Sequence, residues 1–249
     1  GGSNDNTARL WELSTGRELR VFNTLDNVGP VAITPDGRSL LTSGGSDHAV
    51  RLWDLSTGQE LRTFSGHTAS IDRLAVTPDG RILVTGSEDG NVRLWNFATG
   101  QVLRELRLFN AEEKKWVSSI AISPDGRYLV TVVAADERAR LWDLSTGQQL
   151  RVFTESSSDE YGREGYITSV AFTPDGRHLV TAGGTGSGTV LARLWDFATG
   201  QELRGFFAKS RRGVSSVAIT SDSRYLVTDG GNSAFLWELA TPAPSDNGK

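Results

Sequence analysis

One short string recurs six times along this chain and constrains its architecture more than any other feature. It reads LWELSTG from Leu10, LWDLSTG from Leu52, LWNFATG from Leu94, LWDLSTG from Leu141, LWDFATG from Leu194 and LWELAT from Leu236. Its tryptophans (Trp11, Trp53, Trp95, Trp142, Trp195 and Trp237) stand 42, 42, 47, 53 and 42 residues apart. A second string lies between them: TPDG from Thr34, TPDG from Thr77, SPDG from Ser123, TPDG from Thr173, and an eroded TSDS from Thr220. A period of this length marks supersecondary units that bury their apolar surfaces only against one another.

Each unit reads as four short strands, a to d. In the second full unit, Ile71 to Val76 is an apolar-rich run suited to an inner strand a. Pro78-Asp79-Gly80 then turns the chain, Pro presetting φ and Gly accepting a positive φ. Ile82 to Thr85 makes strand b, and Asp89-Gly90 is a tight hairpin signal. Val92 to Trp95 alternates apolar and polar positions as strand c, Thr99-Gly100 turns again, and Val102 to Leu106 gives strand d. No segment holds a helical period, and one such unit buries too little surface to stand alone. The repeated tryptophan therefore reads first as core.

The period near 42 and the Leu-Trp-Asp signature resemble the WD40 family over roughly residues 7 to 240. That resemblance implies an all-β fold, a β-propeller of four-stranded blades. The strand count is uneven: six c strands but five a–b pairs. The chain opens on a c strand, Thr7 to Leu13, and a d strand, Arg17 to Phe22. It closes on a, b and c between Val214 and Leu239. The expected arrangement is a five-bladed ring closed by N- and C-terminal strands, with Arg17 to Phe22 beside Phe235-Leu236-Trp237. The alternatives are a six-bladed, open or domain-exchanged ring, hence a monomer or a strand-exchanged homodimer. Residues 1–6 read as a leader, with Gly1-Gly2-Ser3 as an expression remnant. Residues 7–240 read as one domain, and 241–249 as a disordered tail with linker composition.

Bulk composition narrows the function classes. The chain has 249 residues, no cysteine, and a formal net charge of -4. Disulfides and thiolate chemistry are excluded, and the charge argues against a nucleic-acid partner. No apolar run approaches the ~20 residues of a spanning helix, so no membrane partner is expected. The absence of a recognisable signal peptide points to the cytoplasm.

Spacing separates rigid connections from free ones. The turn Pro and the strand-b Thr are always seven apart, from Pro35 and Thr42 to Pro174 and Thr181, and every c–d turn but the last reads STG or ATG. All length variation falls in the d–a and b–c connections, and insertions confined to one side often mark a binding surface. These connections carry Lys114, Lys115 and Trp116, then Tyr161, Arg163 and Tyr166, then Arg211 and Arg212, with His48 in a b–c loop. Trp, Tyr and Arg are common interface anchors. The bland reading is that the loops are solvated and that Trp116 and Tyr166 only cap the adjacent a strands.

Other constellations read as structure. His67, Ser87 or Thr85, Asp89 and Trp95 match the hydrogen-bonded set that the family resemblance implies for pinning the b–c turn. A Ser-His-Asp hydrolase reading lacks an oxyanion hole or elbow motif. His48, His67 and His178 fall in different units, which argues against a histidine metal site, and no cofactor is expected. Gly183 to Gly188 lacks a following Lys-Ser/Thr and reads as a flexible hairpin loop. The arginines before Leu-Trp (Arg51, Arg93, Arg140 and Arg193) are expected to form solvated cross-strand pairs. The function expected is a non-catalytic protein- or peptide-binding scaffold using the variable d–a/b–c loop face, one form of which is a regulatory module excised from a larger protein. The alternative is an engineered, reconstructed or truncated propeller with a structural role and no natural ligand.

Overall fold

This computed structural model describes residues 5–24, 27–44, 46–109, 113, 115–134, 136, 138–154, 165–185, 189–209, 213–229 and 233–239. Tyr161, Arg163, Lys114, Arg211, Arg212 and the 241–249 tail lie outside them. The chain divides into two compact units, residues 1–117 and 118–249.

In the first unit, β1 (Thr7–Trp11) and β2 (Glu18–Asn23) form a hairpin of their own. A four-stranded sheet follows: β3 (Val28–Ile33), β4 (Ser39–Gly44), β5 (Ala49–Asp54) and β6 (Glu60–Phe64). A second comprises β7 (Ile71–Val76), β8 (Ile82–Ser87), β9 (Asn91–Asn96) and β10 (Val102–Arg107). The next sheet begins at Val117, the last residue of this unit, and otherwise lies in the second: β11 (Val117–Ile122), β12 (Tyr128–Val133), β13 (Arg138–Asp143) and β14 (Gln149–Thr154). After it come β15 (Tyr166–Phe172), β16 (His178–Gly184), β17 (Thr189–Asp196) and β18 (Glu202–Lys209). The last sheet has three strands, β19 (Val217–Ile219), β20 (Tyr225–Asp229) and β21 (Ala234–Glu238). Each four-stranded sheet is an antiparallel meander in chain order, as the a-b-c-d reading expects. No described residue is α-helical, and no helix is long and apolar enough to cross a membrane.

The turns explain this regularity. In the first TPDG, Thr34 Oγ1 donates to Asp36 Oδ1 (2.6 Å) and accepts from Ser39 N (3.0 Å), while Arg38 N donates to Asp36 Oδ1 (3.1 Å). Gly37 takes φ 69°. The same bonds recur at Thr77, Ser123, Thr173 and Thr220, but in the eroded TSDS the glycine's place is held by Ser223 at φ 59°. In the c–d turn, the Asp54 carboxylate accepts from Ser56 and Thr57, which holds it down at about 2. Gly183, expected in a loop, is instead strand: it lies in β16 opposite Ile167, one residue before the strand's end, where a Cβ would stand 1.7 Å from the Tyr166 carbonyl oxygen.

Packing passes from sheet to sheet through a repeated aromatic step. Phe22 meets Trp53 edge-on (6.1 Å), and Phe64 meets Trp95 (6.0 Å). In the second unit Phe153 meets Trp195 (5.4 Å) and Phe206 meets Trp237 (5.6 Å). Each buried ring of this kind contributes ~1.5–3 kcal/mol from burial. Trp53, Trp95, Trp142 and Trp195 are core, as expected, whereas Trp11 is 49% exposed.

β2 pairs with β1, from Trp11↔Glu18 to Thr7↔Asn23, and β21 has β20 as its only strand partner among the described residues.

Candidate functional site

A meander places the a–b and c–d turns at one end of each sheet and the b–c and d–a connections at the other. The second end carries the length variation and the candidate residues.

The best-defined cluster there is in the second complete sheet. His67 Nδ1 lies 2.8 Å from Asp89 Oδ2, and its Nε2 lies 2.7 Å from Thr85 Oγ1, which accepts the Trp95 indole N–H at 2.8 Å. These partners set the tautomer: Nδ1–H donates to Asp89, and the Thr85 hydroxyl donates to Nε2. Arg93 Nη1 is 2.6 Å from His67 Nδ1, but that nitrogen carries the proton, so its hydrogen bond is the one to Asp89 Oδ2 (2.8 Å). Burial opposes ionisation of Asp89, yet the His67 hydrogen bond and the backbone N–H of Thr68 and Asn91 hold its carboxyl well below the usual range. Thr85, not Ser87, links His67 to Trp95. Ser87 instead accepts from Asp89 N and donates to the Ala69 carbonyl, which ties the turn to strand a. Thr85 is fully buried, and His67 and Asp89 are buried with it, so no substrate reaches this hydroxyl. The set is a turn clamp.

The other sheets keep its Trp–Thr half. Trp53, Trp142, Trp195 and Trp237 donate to Thr42, Thr131, Thr181 and Thr228 at 2.9–3.0 Å. Where histidine is missing, arginine reaches the turn aspartate. Arg51 pairs with Asp47 and Arg140 with Asp136 (2.8 Å), as Arg93 does with Asp89. On strand d, Arg93 meets Glu105 (2.7 Å) and Arg193 meets Glu202. The expected solvated pairing is corrected here: Arg51, Arg93 and Arg193 are only 7–8% exposed. The arginine side of each pair is enclosed while its acidic partner stays part-exposed, as with Asp47, Glu105 and Glu202; only Arg93–Asp89 is buried on both sides. The sequence signal was an Asp four residues before the Arg in four units, Asp5/Arg9, Asp47/Arg51, Asp89/Arg93 and Asp136/Arg140; Arg193 has Thr189 there.

The described binding candidates do not form one cluster. Trp116 is 50% exposed immediately before β11. Lys115 pairs with Glu113 at 2.7 Å. Tyr166 opens β15, half-buried and paired with Gly184, which fits a strand cap. His48 holds a left-handed φ of 53° and lines a hollow of about 390 Å³ with Asn27, Ser46, Ser70, Val28 and Ile71. Its Nδ1 is buried with no hydrogen-bond partner among the described residues. A hollow of about 480 Å³ at the opposite end is lined by Thr34, Asp36, Pro78, Asp79 and Phe97. There Thr34, Asp36 and Asp79 are spent within their own turns.

One residue escaped the sequence reading. Burial pushes the Asp72 carboxyl up to about 6, against the Val117 N–H that it accepts at 2.9 Å, and Glu88 adds repulsion. Alternation alone marks Asp72 as an ordinary polar position of strand a. Among the described residues no group of three or more His, Asp or Glu could hold a metal ion.

Meanders of four strands, a tryptophan bonded to a strand-b threonine in each of the five larger sheets, and the clamp around His67 point one way. The family model for the WD domain, G-beta repeat, matches residues 27–54, 58–96, 103–143 and 147–191, more than half of the chain. The chain belongs to the WD40 family. Its sheets are WD40 blades, and WD40 domains are typically non-catalytic scaffolds for protein interactions. No curated protein matches the chain.

Proposed function

We propose that this WD40 chain is a scaffold that binds a protein or peptide through its b–c and d–a connections. The observation that carries the reading is the unpartnered, buried His48 Nδ1 in a hollow at the end of the blades where the connections vary. A buried acceptor without a donor costs about 1–3 kcal/mol, and a hydroxyl or amide from a ligand would satisfy it. Val28 and Ile71 supply apolar contact beside it, and Trp116 offers an aromatic anchor elsewhere at the variable ends.

The test is selection of binders from a displayed random-peptide library, followed by affinity measurement on variants. Selected peptides should lose at least about tenfold in affinity on His48→Ala or Trp116→Ala, and keep it on Arg81→Ala in an a–b turn. Peptides that depend on Arg81 and ignore His48 and Trp116 would overturn the choice of end.

A further inference from the structure

We propose that the hollow beside His48 takes a neutral primary amide, the side chain of a glutamine or asparagine on the partner peptide. This rests on the reading of that hollow as a peptide site and adds the chemistry of its occupant.

The hollow stands where a repeated junction is incomplete. Near the start of strand a, each of the five larger sheets carries a buried aliphatic residue six positions before the turn Thr or Ser: Val28, Ile71, Val117, Ile167 and Val214. In two of these sheets the next residue reaches the sheet that follows. Asp72 Oδ2 accepts from Val117 N (2.9 Å), and Thr168 Oγ1 donates to the Val214 carbonyl (2.5 Å). At the junction of the first and second four-stranded sheets that residue is Gly29. It holds no left-handed φ, so its backbone does not demand glycine. A Cβ there would stand 3.7 Å from the Ile71 carbonyl oxygen, the counterpart of the one that Thr168 reaches. Glycine cannot make that contact, and the hollow of about 390 Å³ has Gly29 and Ile71 in its lining.

His48 lines the same hollow. In the second sheet the residue after the turn aspartate is Gly90, at φ 86°, where a Cβ would lie 2.2 Å from the Phe109 carbonyl oxygen. The first sheet sets an imidazole at this place, in left-handed backbone that L-residues rarely adopt. Its buried Nδ1 meets no hydrogen-bond partner among the described residues. An aliphatic occupant would leave that nitrogen bare. The described lining holds no carboxylate, lysine or arginine, so an ionised occupant would leave water without a counter-charge. Asp47, next to His48, is already paired with Arg51. A hydroxyl has a single donor and cannot serve both Nδ1 and the Ile71 carbonyl. A primary amide offers two N–H donors, and its carbonyl can accept from the hydroxyls of Ser46 and Ser70.

The probes are the N-acetyl methylamide derivatives of glutamine, glutamate, lysine and alanine. Each is titrated into the whole isotope-labelled protein, and the backbone amide signals of Ser46, Ser70 and Ile71 are followed by NMR. The glutamine probe should saturate with a dissociation constant on the order of 1 mM, at least about tenfold tighter than the glutamate, lysine and alanine probes. His48→Gly installs the residue that the second sheet has at this place, and Gly29→Thr supplies the hydroxyl that Thr168 supplies at its own junction. Each should weaken the glutamine probe at least about tenfold, with thermal melting to confirm that both variants fold. No saturable shift, equal affinity for any of the other probes, or full affinity in both folded variants overturns the proposal. Library peptides that need His48, beside a glutamine probe no tighter than the alanine one, would keep the hollow as the peptide site and rule out the amide. A glutamine probe that behaves as expected, beside library peptides indifferent to His48, would uphold the amide and remove the peptide site.

Discussion

Thr85 and Thr131 occupy the same place in two blades, yet they carry different loads. Thr131 satisfies one indole N–H, whereas Thr85 joins an indole, an imidazole and, through it, a buried carboxylate. Thr85→Val strands the Trp95 N–H and His67 Nε2 together, and Thr131→Val strands the Trp142 N–H alone. Urea unfolding should show losses of about 3 and about 1.5 kcal/mol respectively. Asp72 gives a pH signature of opposite sense to most carboxylates. Its folded pKa lies above the ordinary 3.8, so the native state binds the proton more tightly than the unfolded chain. Stability from this group is present below pH 4 and is lost as pH rises through about 6. Asp72→Asn can still accept from Val117 N–H. It should stabilise the protein by about 1 kcal/mol at pH 8, discounted for partial exposure, and by nothing measurable at pH 4.

At the scale of the element, the a–b turn is the most uniform device in the chain. Thr or Ser, Asp and a residue at positive φ form a closed set of hydrogen bonds, so the sheet needs no help from neighbours to fix this corner. The one departure is Ser223, an L-residue in left-handed backbone at φ 59°. Ser223→Gly restores the pattern and should raise stability by about 0.5–1 kcal/mol, measured as a shift in urea midpoint at unchanged slope. The b–c turn works differently. Its aspartate is held by arginine alone in the blades around Asp47 and Asp136 and by arginine plus histidine in the one around Asp89. Length variation there is tolerated because the clamp sits at the strand ends and leaves the loop beyond it free.

Across the whole molecule, the same residue type changes value with its place in the order of blades. Leu194 is sealed between its own blade and the apolar cluster containing Leu226 and Phe206, while Leu236 is open on its outer side. Leu194→Ala should cost about 2–5 kcal/mol as a core truncation, and Leu236→Ala less than about 0.5 kcal/mol as a surface change, both by equilibrium unfolding. Equal losses would mean that something covers β21 in solution.

The repeat was legible in the one-dimensional string because a blade is local. Strands a to d are neighbours in sequence, their turns are short, and Pro, Asp and Gly punctuate each corner. Ile71–Val76 is bounded in the structure as the periodicity predicts, and the His67 clamp follows from residue types at family spacing. What pairs across blades or at their margins was not legible. Whether Arg51 is solvated depends on how deep its stem lies between strands. The variable connections carry no repeated geometry, so residue type alone singled out Trp116 and His48, and only the folded chain showed one exposed and the other with a buried, unpaired nitrogen. Local hydrogen-bonded corners are encoded in contiguous residues, while burial and edge pairing are set by surfaces that meet only after the chain has folded.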